Sequence, residues 1–203
     1  SPTMIPRTTL TEAFDALLQP ERFKDYGPNG LQVEGKGQIG KIVSGVTGSA
    51  ALIDAAIDLG ADAIFVHHGL FWRGQDGRVV GWMKQRLHKL LAHDINLYAY
   101  HLPLDAHPTL GNNAQLGRVL GFTPLDGAGS RFGEQDMGWL GHCAQGSSQA
   151  LAGHIEKVLN RPVTHINRAQ AAIKKIAWCT GGAQGYFEAA IAAGADVFIT
   201  GEI

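Results

Sequence analysis

Two stretches of this chain repeat one another, and the repeat limits what the chain can fold into. Lys41 to Gly69 aligns without gaps on Lys175 to Ile203. Gly48 meets Gly182, Ala55-Ala56-Ile57 meets Ala189-Ala190-Ile191, and Gly60-Ala61-Asp62 meets Gly194-Ala195-Asp196. Each copy reads as an apolar strand, a Gly-containing turn, an amphipathic helix, a Gly cap and a second apolar strand. That order is a βαβ unit, which requires parallel strands and favours a right-handed crossover. Two such units predict an α/β chain of two similar lobes, with mixed, partly parallel sheets flanked by helices.

The repeat also predicts lobe boundaries and an asymmetry. The first lobe is expected over residues 1–126 and the second over 134–203, joined by a Gly-rich linker at 127–133. After Gly69 the first copy continues through a helix (Val79 to His93), a strand (Asn96 to Tyr100) and a polar loop. The second copy stops at Ile203, where symmetry predicts a further helix and strand of about 30 residues. The chain therefore reads as lacking its natural C-terminus.

Other segments have local signatures. Thr9 and Glu12 form a capping-box pattern that opens a helix with Leu10, Phe14, Leu17 and Leu18 on its apolar face. Tyr26-Gly27-Pro28-Asn29-Gly30 is dense in turn residues. A short helix is expected over 112–120, and Met137 to Cys143 reads as a strand. Ser147 or Ser148 caps a helix running to Leu159, and Pro162 to Ile166 reads as another strand.

The chemistry points to the ends of two of these strands. Ala63-Ile64-Phe65-Val66 is a short buried strand that runs into His67-His68-Gly69. In open α/β sheets, ligands gather at the carboxyl ends of strands. A second strand ends in Tyr100-His101-Leu102-Pro103-Leu104-Asp105. His67, His68, His101 and Asp105 make up a nitrogen-and-oxygen donor set of the kind that Zn, Mn, Fe or Co sites use. The residues alone leave two readings open, a metal site or a hydrogen-bonded structural cluster. Adjacent strand residues point to opposite faces, so both His67 and His68 reach one site only if the backbone turns at Gly69. The repeat sets Glu202 opposite His68, a second strand end with a metal-competent side chain.

Composition excludes several alternatives. The chain has 203 residues, a net charge of −1 and no run of Lys or Arg, so no phosphate footprint for nucleic acid is indicated. Its only cysteines are Cys143 and Cys179, which rules out a thiolate zinc finger or a disulfide framework. Cys179 lies in the apolar run Ile176-Ala177-Trp178-Cys179 and reads as a small buried hydrophobe. No apolar stretch reaches the roughly 18 residues of a membrane helix, and Ser1 to Arg7 lacks the order of a signal peptide. A soluble, reducing, cytoplasmic setting is expected. Thr180-Gly181-Gly182-Ala183-Gln184-Gly185 opens a helix and could hold a phosphate, but it fits a tight βα turn better; no P-loop is present. Of the four tryptophans, Trp82 (on a face with Leu87, Leu90 and Leu91) and Trp178 are expected in the core. Trp72 is the one expected to line a cleft.

Three segments, in order and spacing, resemble the Nif-three-like family, also described as type-two GTP cyclohydrolase I homologues. They are Asp25-Tyr-Gly-Pro-Asn-Gly-Leu-Gln-Val33, Phe65-Val-His-His-Gly-Leu-Phe-Trp72 and His101-Leu-Pro-Leu-Asp-Ala-His-Pro108. The resemblance runs from the first helix to Ile203. It implies two α/β lobes, a site for two divalent transition-metal ions (Zn, Fe, Mn, Co or Ni), and homohexameric rings built from dimers. The family's His-His pair falls on His67 and His68 and its Asp ligand on Asp105. Its remaining His-x-x-x-Glu ligands have no counterpart before Ile203. His101 and Glu202 stay as catalytic candidates, or as residues that would orient a ligand or face the substrate.

Two functions follow as expectations. One is a metal-dependent hydrolase cleaving C–N or phosphoester bonds of a nucleotide-like small molecule. Two ions about 3.5–4 Å apart can share a bridging carboxylate, here Asp105, and clamp the attacking and leaving oxygens; His101 would donate a proton or orient Asp105. The other is a non-catalytic metal-binding scaffold or regulatory interaction protein, for which an oligomeric ring would also be suited.

Overall fold

The computed structural model of the chain describes residues 3–125, 130–166, 172–180 and 186–201. The chain divides into two compact units, residues 1–104 and 105–203.

In the first unit, β1 (Ile5–Pro6) leads into α1 (Arg7–Leu18). Next come β2 (Gly30–Val33), β3 (Gln38–Ile39), β4 (Ile42–Thr47), α2 (Ala50–Asp58) and β5 (Ala63–His68). The unit closes with α3 (Gly81–Ala92) and β6 (Asn96–Ala99). The main sheet has the order β2-β6-β5-β4, with β4, β5 and β6 parallel and β2 antiparallel to β6. β1 and β3 form a separate antiparallel pair.

The period-two alternation of β5 and β6 divides the apolar core of this unit between two faces. Ile64, Val66, Leu97 and Ala99 pack with Ile53 and Ala56 of α2 and with Met83 and Leu90 of α3. Ala63, Tyr98 and Tyr100 face the other way, onto Leu10 and Leu18 of α1, with Phe14 and Phe65 against them. A sheet covered on both faces needs strands without alternating polarity, which is why Ala63 to Val66 is a continuous apolar run.

α4 (Leu102–Ala106) spans the division between the units. The second unit then holds α5 (Asn112–Leu120), β7 (Thr123–Pro124), β8 (Arg131–Phe132), β9 (Gly138–His142) and α6 (Ser148–Leu159). β10 (Ile176–Cys179), α7 (Phe187–Ala192) and β11 (Val197–Thr200) complete it. Its sheet runs β11-β10-β9-β7, with β8 also on β9; β10 and β11 are parallel and the other pairs antiparallel. Trp178 is buried at its centre, stacked on Trp139 with 6.1 Å between ring centroids. The Trp178 Nε1–H donates to the Asn113 carbonyl at 2.8 Å. Gly117 of α5 lies so close to the indole that a Cβ there would overlap it.

The repeat reappears as one hydrogen-bonded device built twice. In the first copy the Asp62 carboxylate accepts from the backbone N–H groups of Gly40 and Lys41, and Lys41 Nζ donates to the Leu59 carbonyl. In the second, Asp196 accepts from Lys174 and Lys175, and Lys175 Nζ donates to the Ala193 carbonyl. Strand registers match as well: Ile42 pairs with Ala63 as Ile176 pairs with Val197.

Several expectations need correction. The division falls between Leu104 and Asp105 rather than at 127–133, because α5 packs with Trp139 and Trp178 of the second unit. α1 begins at Arg7, not at the capping box: Pro6 sets the entry and the Arg7 N–H is taken by the Gly37 carbonyl. Leu17 of that helix is exposed, as are Trp82 and Leu91 of α3. Trp82 is covered instead by the Arg86 guanidinium, 4.8 Å from the ring centroid. Residues 162–166 are not a strand; the Val163 N–H goes to the Glu156 carboxylate. Residues 181–185 and Glu202 lie outside the described residues.

Candidate metal centre

β5 and β6 are parallel neighbours, so their carboxyl ends deliver His67, His68 and His101 to one edge of the sheet. β6 pairs with β5 only as far as Val66, while the β4 side holds on to His68 through the Thr47 pairing and a Gly48 N–H to His68 carbonyl bond of 2.8 Å. Freed on one side, the last two residues of β5 turn both imidazoles toward the same space. Their ring centroids are 4.5 Å apart. His101 completes the group, with centroids 4.8 Å from His67 and 5.4 Å from His68.

β5 ends at His68, and Gly69, where the backbone was expected to turn, lies where no side chain fits. A Cβ at Gly69 would overlap the Gln32 side-chain amide and the Ala99 methyl. Gln32 fills that place because its Oε1 accepts the Leu70 N–H at 2.9 Å while its Nε2 donates to the Pro28 carbonyl at 2.9 Å. A comparable close approach occurs at Gly27, where a Cβ would overlap the Phe71 carbonyl. Arg73 N–H donates to the Tyr26 carbonyl at 2.5 Å. The segments Asp25–Val33, Phe65–Trp72 and His101–Leu104 are thus bound to one another by backbone and amide contacts.

Asp25 anchors this assembly. Its side chain is 2% exposed, and its Oδ1 lies 2.8 Å from His101 Nδ1. The same oxygen accepts the Tyr26 N–H at 2.7 Å, and Oδ2 accepts from Leu102 N–H at 2.9 Å and Asn29 Nδ2 at 3.0 Å. Asn29 Oδ1 in turn accepts the His101 N–H at 2.7 Å. Burial alone would push the Asp25 carboxyl up; the bonds from His101, Asn29, Leu102 and Tyr26 outweigh it and hold the group at about 2. Asp25 is therefore an anion at neutral pH.

Beside the imidazoles stands Trp72, with its ring centroid 5.3 Å from His101 and 5.8 Å from His68, in edge-on contact with both. A cavity of about 410 Å³ opens next to it, lined by Tyr26, Pro28, Phe71, Trp72 and Arg73. The Arg73 guanidinium lies over the Tyr26 ring at 5.8 Å.

The donor set fits a divalent ion. One nitrogen from each of His67, His68 and His101 lies within 4.8 Å of the others. Two imidazole nitrogens at about 2.0–2.1 Å from a tetrahedral ion stand about 3.4 Å apart, so the widest pair of the group must close by up to about 1.4 Å. Three half-buried imidazoles from strand ends suit Zn, Fe, Co or Ni.

The sequence pattern singled out His67, His68, His101 and Asp105, and the structure groups the three imidazoles, without Asp105. Asp105 lies in α4 and is buried, with Oδ1 accepting from Asn112 Nδ2 at 2.8 Å. Cys179 is wholly buried; burial first, and then the Asp105 charge, push its thiol up to about 12, which leaves no thiolate nucleophile there. Sequence reading missed Asp25 as a functional residue. Its signal was present, since it opens the Asp25–Gly30 turn, but an Asp in a turn is usually explained by the local Asx bond, which Asp25 also makes to Tyr26.

A family model described as Duf34/NIF3 (NGG1p interacting factor 3) matches residues 6–203. A GTP cyclohydrolase 1 type 2 homolog of Neisseria meningitidis serogroup A is 54% identical over 187 residues, covering 92% of this chain and 74% of that protein. The homolog from Escherichia coli K12 is 46% identical over 197 residues, 97% of this chain and 78% of that one. Among solved structures, protein ybgI, described as of unknown function, is 44% identical with a TM-score of 0.87 over 98% of this chain and 79% of its own. TTHA1606 from Thermus thermophilus is 33% identical with a TM-score of 0.75, over 98% of this chain and 78% of its own.

Proposed function

The chain belongs to the Duf34/NIF3 family, and from that premise we propose that it is a metal-dependent hydrolase whose ion is held by His67, His68 and His101. The observation that carries this reading is the convergence of the three imidazoles at the ends of β5 and β6. Structural zinc sites are usually closed by four Cys or His ligands, whereas three protein nitrogens leave a position for water or substrate. An ion there supplies a Lewis acid that lowers the pKa of a water and polarises a carbonyl or phosphoryl oxygen. Asp105, which lies four residues beyond His101, is assigned through the family motif as the carboxylate that admits a second ion.

The remaining residues bind and orient. Trp72 and Phe71 offer aromatic surface for a planar group, and Arg73 offers a cation for an anionic one. A nucleotide-like substrate cleaved at a C–N or phosphoester bond meets both demands, in keeping with the name carried by the relatives. We also propose, from the family resemblance, a cytoplasmic location and assembly into a homohexamer built from dimers; sedimentation analysis of the purified chain tests the assembly.

Metal content per chain decides the central point, measured by elemental mass spectrometry on protein never exposed to chelator or an affinity metal. The expected result is at least one transition-metal ion per chain, lost in His67→Ala. A hydrolysis screen on nucleotides then compares the native chain with Asp105→Ala. Loss of a residue that merely orients a ligand costs about 10–100-fold, so loss of a ligand should cost at least about 100-fold in rate. Metal-free native protein, or full turnover in Asp105→Ala, would overturn the hydrolase reading. Bound metal with no turnover on any substrate would favour a scaffold.

A further inference from the structure

We propose that the cavity beside Trp72 is a subsite for a planar heteroaromatic ring that carries an anionic group, the chemistry of a mononucleotide. It holds the end of the substrate that does not react. The proposal rests on the hydrolase reading for what becomes of the ligand, but the binding itself needs no ion.

The cavity has a volume of about 410 Å³, within the range of small-molecule sites. Two stretches of chain wall it, one within residues 25–28 and one within 71–77. They are fastened to each other. The Arg73 N–H donates to the Tyr26 carbonyl at 2.5 Å, and Arg73 Nη2 donates to the Asp25 carbonyl at 3.2 Å. Gln75 Nε2 reaches back to the Leu70 carbonyl at 2.9 Å. Gly27 lets the walls approach, since a Cβ there would overlap the Phe71 carbonyl and stand 3.2 Å from Trp72 Cε3. Walls set before the ligand arrives lose little freedom on binding.

The recognition chemistry has two parts, aromatic surface and positive charge. Phe71 packs against the core of the sheet, which leaves Tyr26 and Trp72 as the ring surfaces of the cavity. Trp72 meets His68 and His101 edge-on, and among the described residues no ring is stacked on its indole. Tyr26 is 59% exposed, with the Arg73 guanidinium 5.8 Å from its ring centroid. A flat ring can stack on such surfaces, and any base will serve because each has a π-face. Arg73 supplies the charge. It is exposed, and among the described residues its Nε and Nη1 make no hydrogen bond. A guanidinium so placed offers a fork of donors to a phosphate or carboxylate. The carboxylate of Asp25 is 2% exposed and already accepts from Tyr26 N–H, Asn29 Nδ2 and Leu102 N–H, so the accessible charge of the lining is positive.

Position ties the subsite to the imidazoles. A water-sized void of about 10 Å³ lies against His67 and His101, and Gly27, Pro28, Phe71 and Trp72 line both it and the cavity. A ring in the cavity thus stands one side-chain layer from the imidazoles, a distance that a substituent of the ring spans.

The test titrates adenosine 5′-monophosphate into the metal-free full chain and follows the indole N–H signals of its four tryptophans by NMR. The Trp72 signal is identified by its loss in Trp72→Phe. A saturable shift of Trp72 Nε1–H is expected, with Trp82, Trp139 and Trp178 unmoved. Adenosine should bind more weakly than the nucleotide, and Arg73→Gln should remove that difference. Trp72→Leu should weaken nucleotide binding about 5–150-fold, the factor that one base–aromatic stack represents.

The absence of a saturable Trp72 shift overturns the proposal. So does equal affinity for adenosine and its monophosphate, or ribose 5-phosphate binding as tightly as the nucleotide. Should Trp72→Leu fail to fold, Tyr26→Leu and Arg73→Gln decide, since both side chains are exposed; unchanged nucleotide affinity in both overturns the proposal. A purified chain without metal that still binds the nucleotide at Trp72 overturns the hydrolase reading and supports the subsite. Bound metal with no shift at Trp72 overturns the subsite and leaves the metal centre standing.

Discussion

At the scale of single residues, the centre depends on two places where no side chain fits. Gly69 follows the His pair, and its missing Cβ is the room that the Gln32 amide and the Ala99 methyl occupy. Gly69→Ala must displace Gln32, and with it the bonds from Leu70 N–H and to the Pro28 carbonyl. Overpacking of this kind costs about 1–3 kcal/mol. The expected outcome is a lower urea midpoint and weaker Zn binding together, because the displaced segment carries His68. Gly60→Ala is the contrast: it has open space around it but a φ of +68°, so it should lose stability and leave Zn affinity unchanged. Equal Zn affinity in native and Gly69→Ala chains would refute the link between this turn and the centre. The His pair and His101 were legible in the sequence because imidazoles at strand ends stand out against an apolar run. Asp25 was not, since its role depends on a bond across 76 positions to His101, and nothing in its own neighbourhood distinguishes it from a turn residue.

At the scale of elements, the repeat is maintained by the Asp–Lys device at the mouth of each βαβ unit, and that device titrates. Burial raises the Asp62 pKa, but the bonds from Gly40 and Lys41 and the charge of Lys36 outweigh it, so the folded value is lowered. A carboxylate with a lowered folded pKa contributes stability that is complete above its unfolded value of about 4 and lost as pH falls through the folded value. Asp62→Asn should therefore lose about 1 kcal/mol at pH 7. The gap between native and variant should close below about pH 4, as read from urea midpoints against pH. A gap that persists at low pH would mean that the carboxylate acts through shape, not charge. Asp196 has the same bonds, and its pKa is lowered by the Lys175 and Lys174 N–H groups. It is exposed, so the same substitution there should have a smaller effect. Element identity was readable here because period and turn residues agree: α5 spans residues 112–120 as expected, and α6 is capped by Ser147. The errors came where tertiary contacts decide. α1 starts two residues before its capping-box Thr9 because a distant carbonyl, that of Gly37, takes the Arg7 N–H. Trp82 is exposed because Met83 and Leu90, not Trp82 and Leu91, turn to the sheet.

At the scale of the whole molecule, the chain holds two sets of cores with separate memberships. One is built on β5 and β6 around Ile64, Val66 and Leu97, the other on β9 and β10 around Trp139 and Trp178. Separate cores can open separately, each with its own free energy. The imidazole group belongs entirely to residues 1–104, so an ion held by it acts first on that unit. A ligand that binds only the folded form stabilises it by about 2.7 kcal/mol at 100 times its Kd. Hydrogen exchange with and without saturating Zn reads where that energy appears. Amides of β5 and β6, among them Phe65, Val66 and Leu97, should slow by up to about 100-fold, the factor that this energy represents. Amides of β9 and β10, such as Leu140 and Ala177, should slow less. His67→Ala should abolish the difference in both sets while leaving the metal-free exchange of β9 and β10 unchanged. Equal slowing in β5 and β10 would instead mean that the two cores open in one step. In that case metal binding would govern the stability of the entire chain, and the division at Leu104 would be one of packing alone.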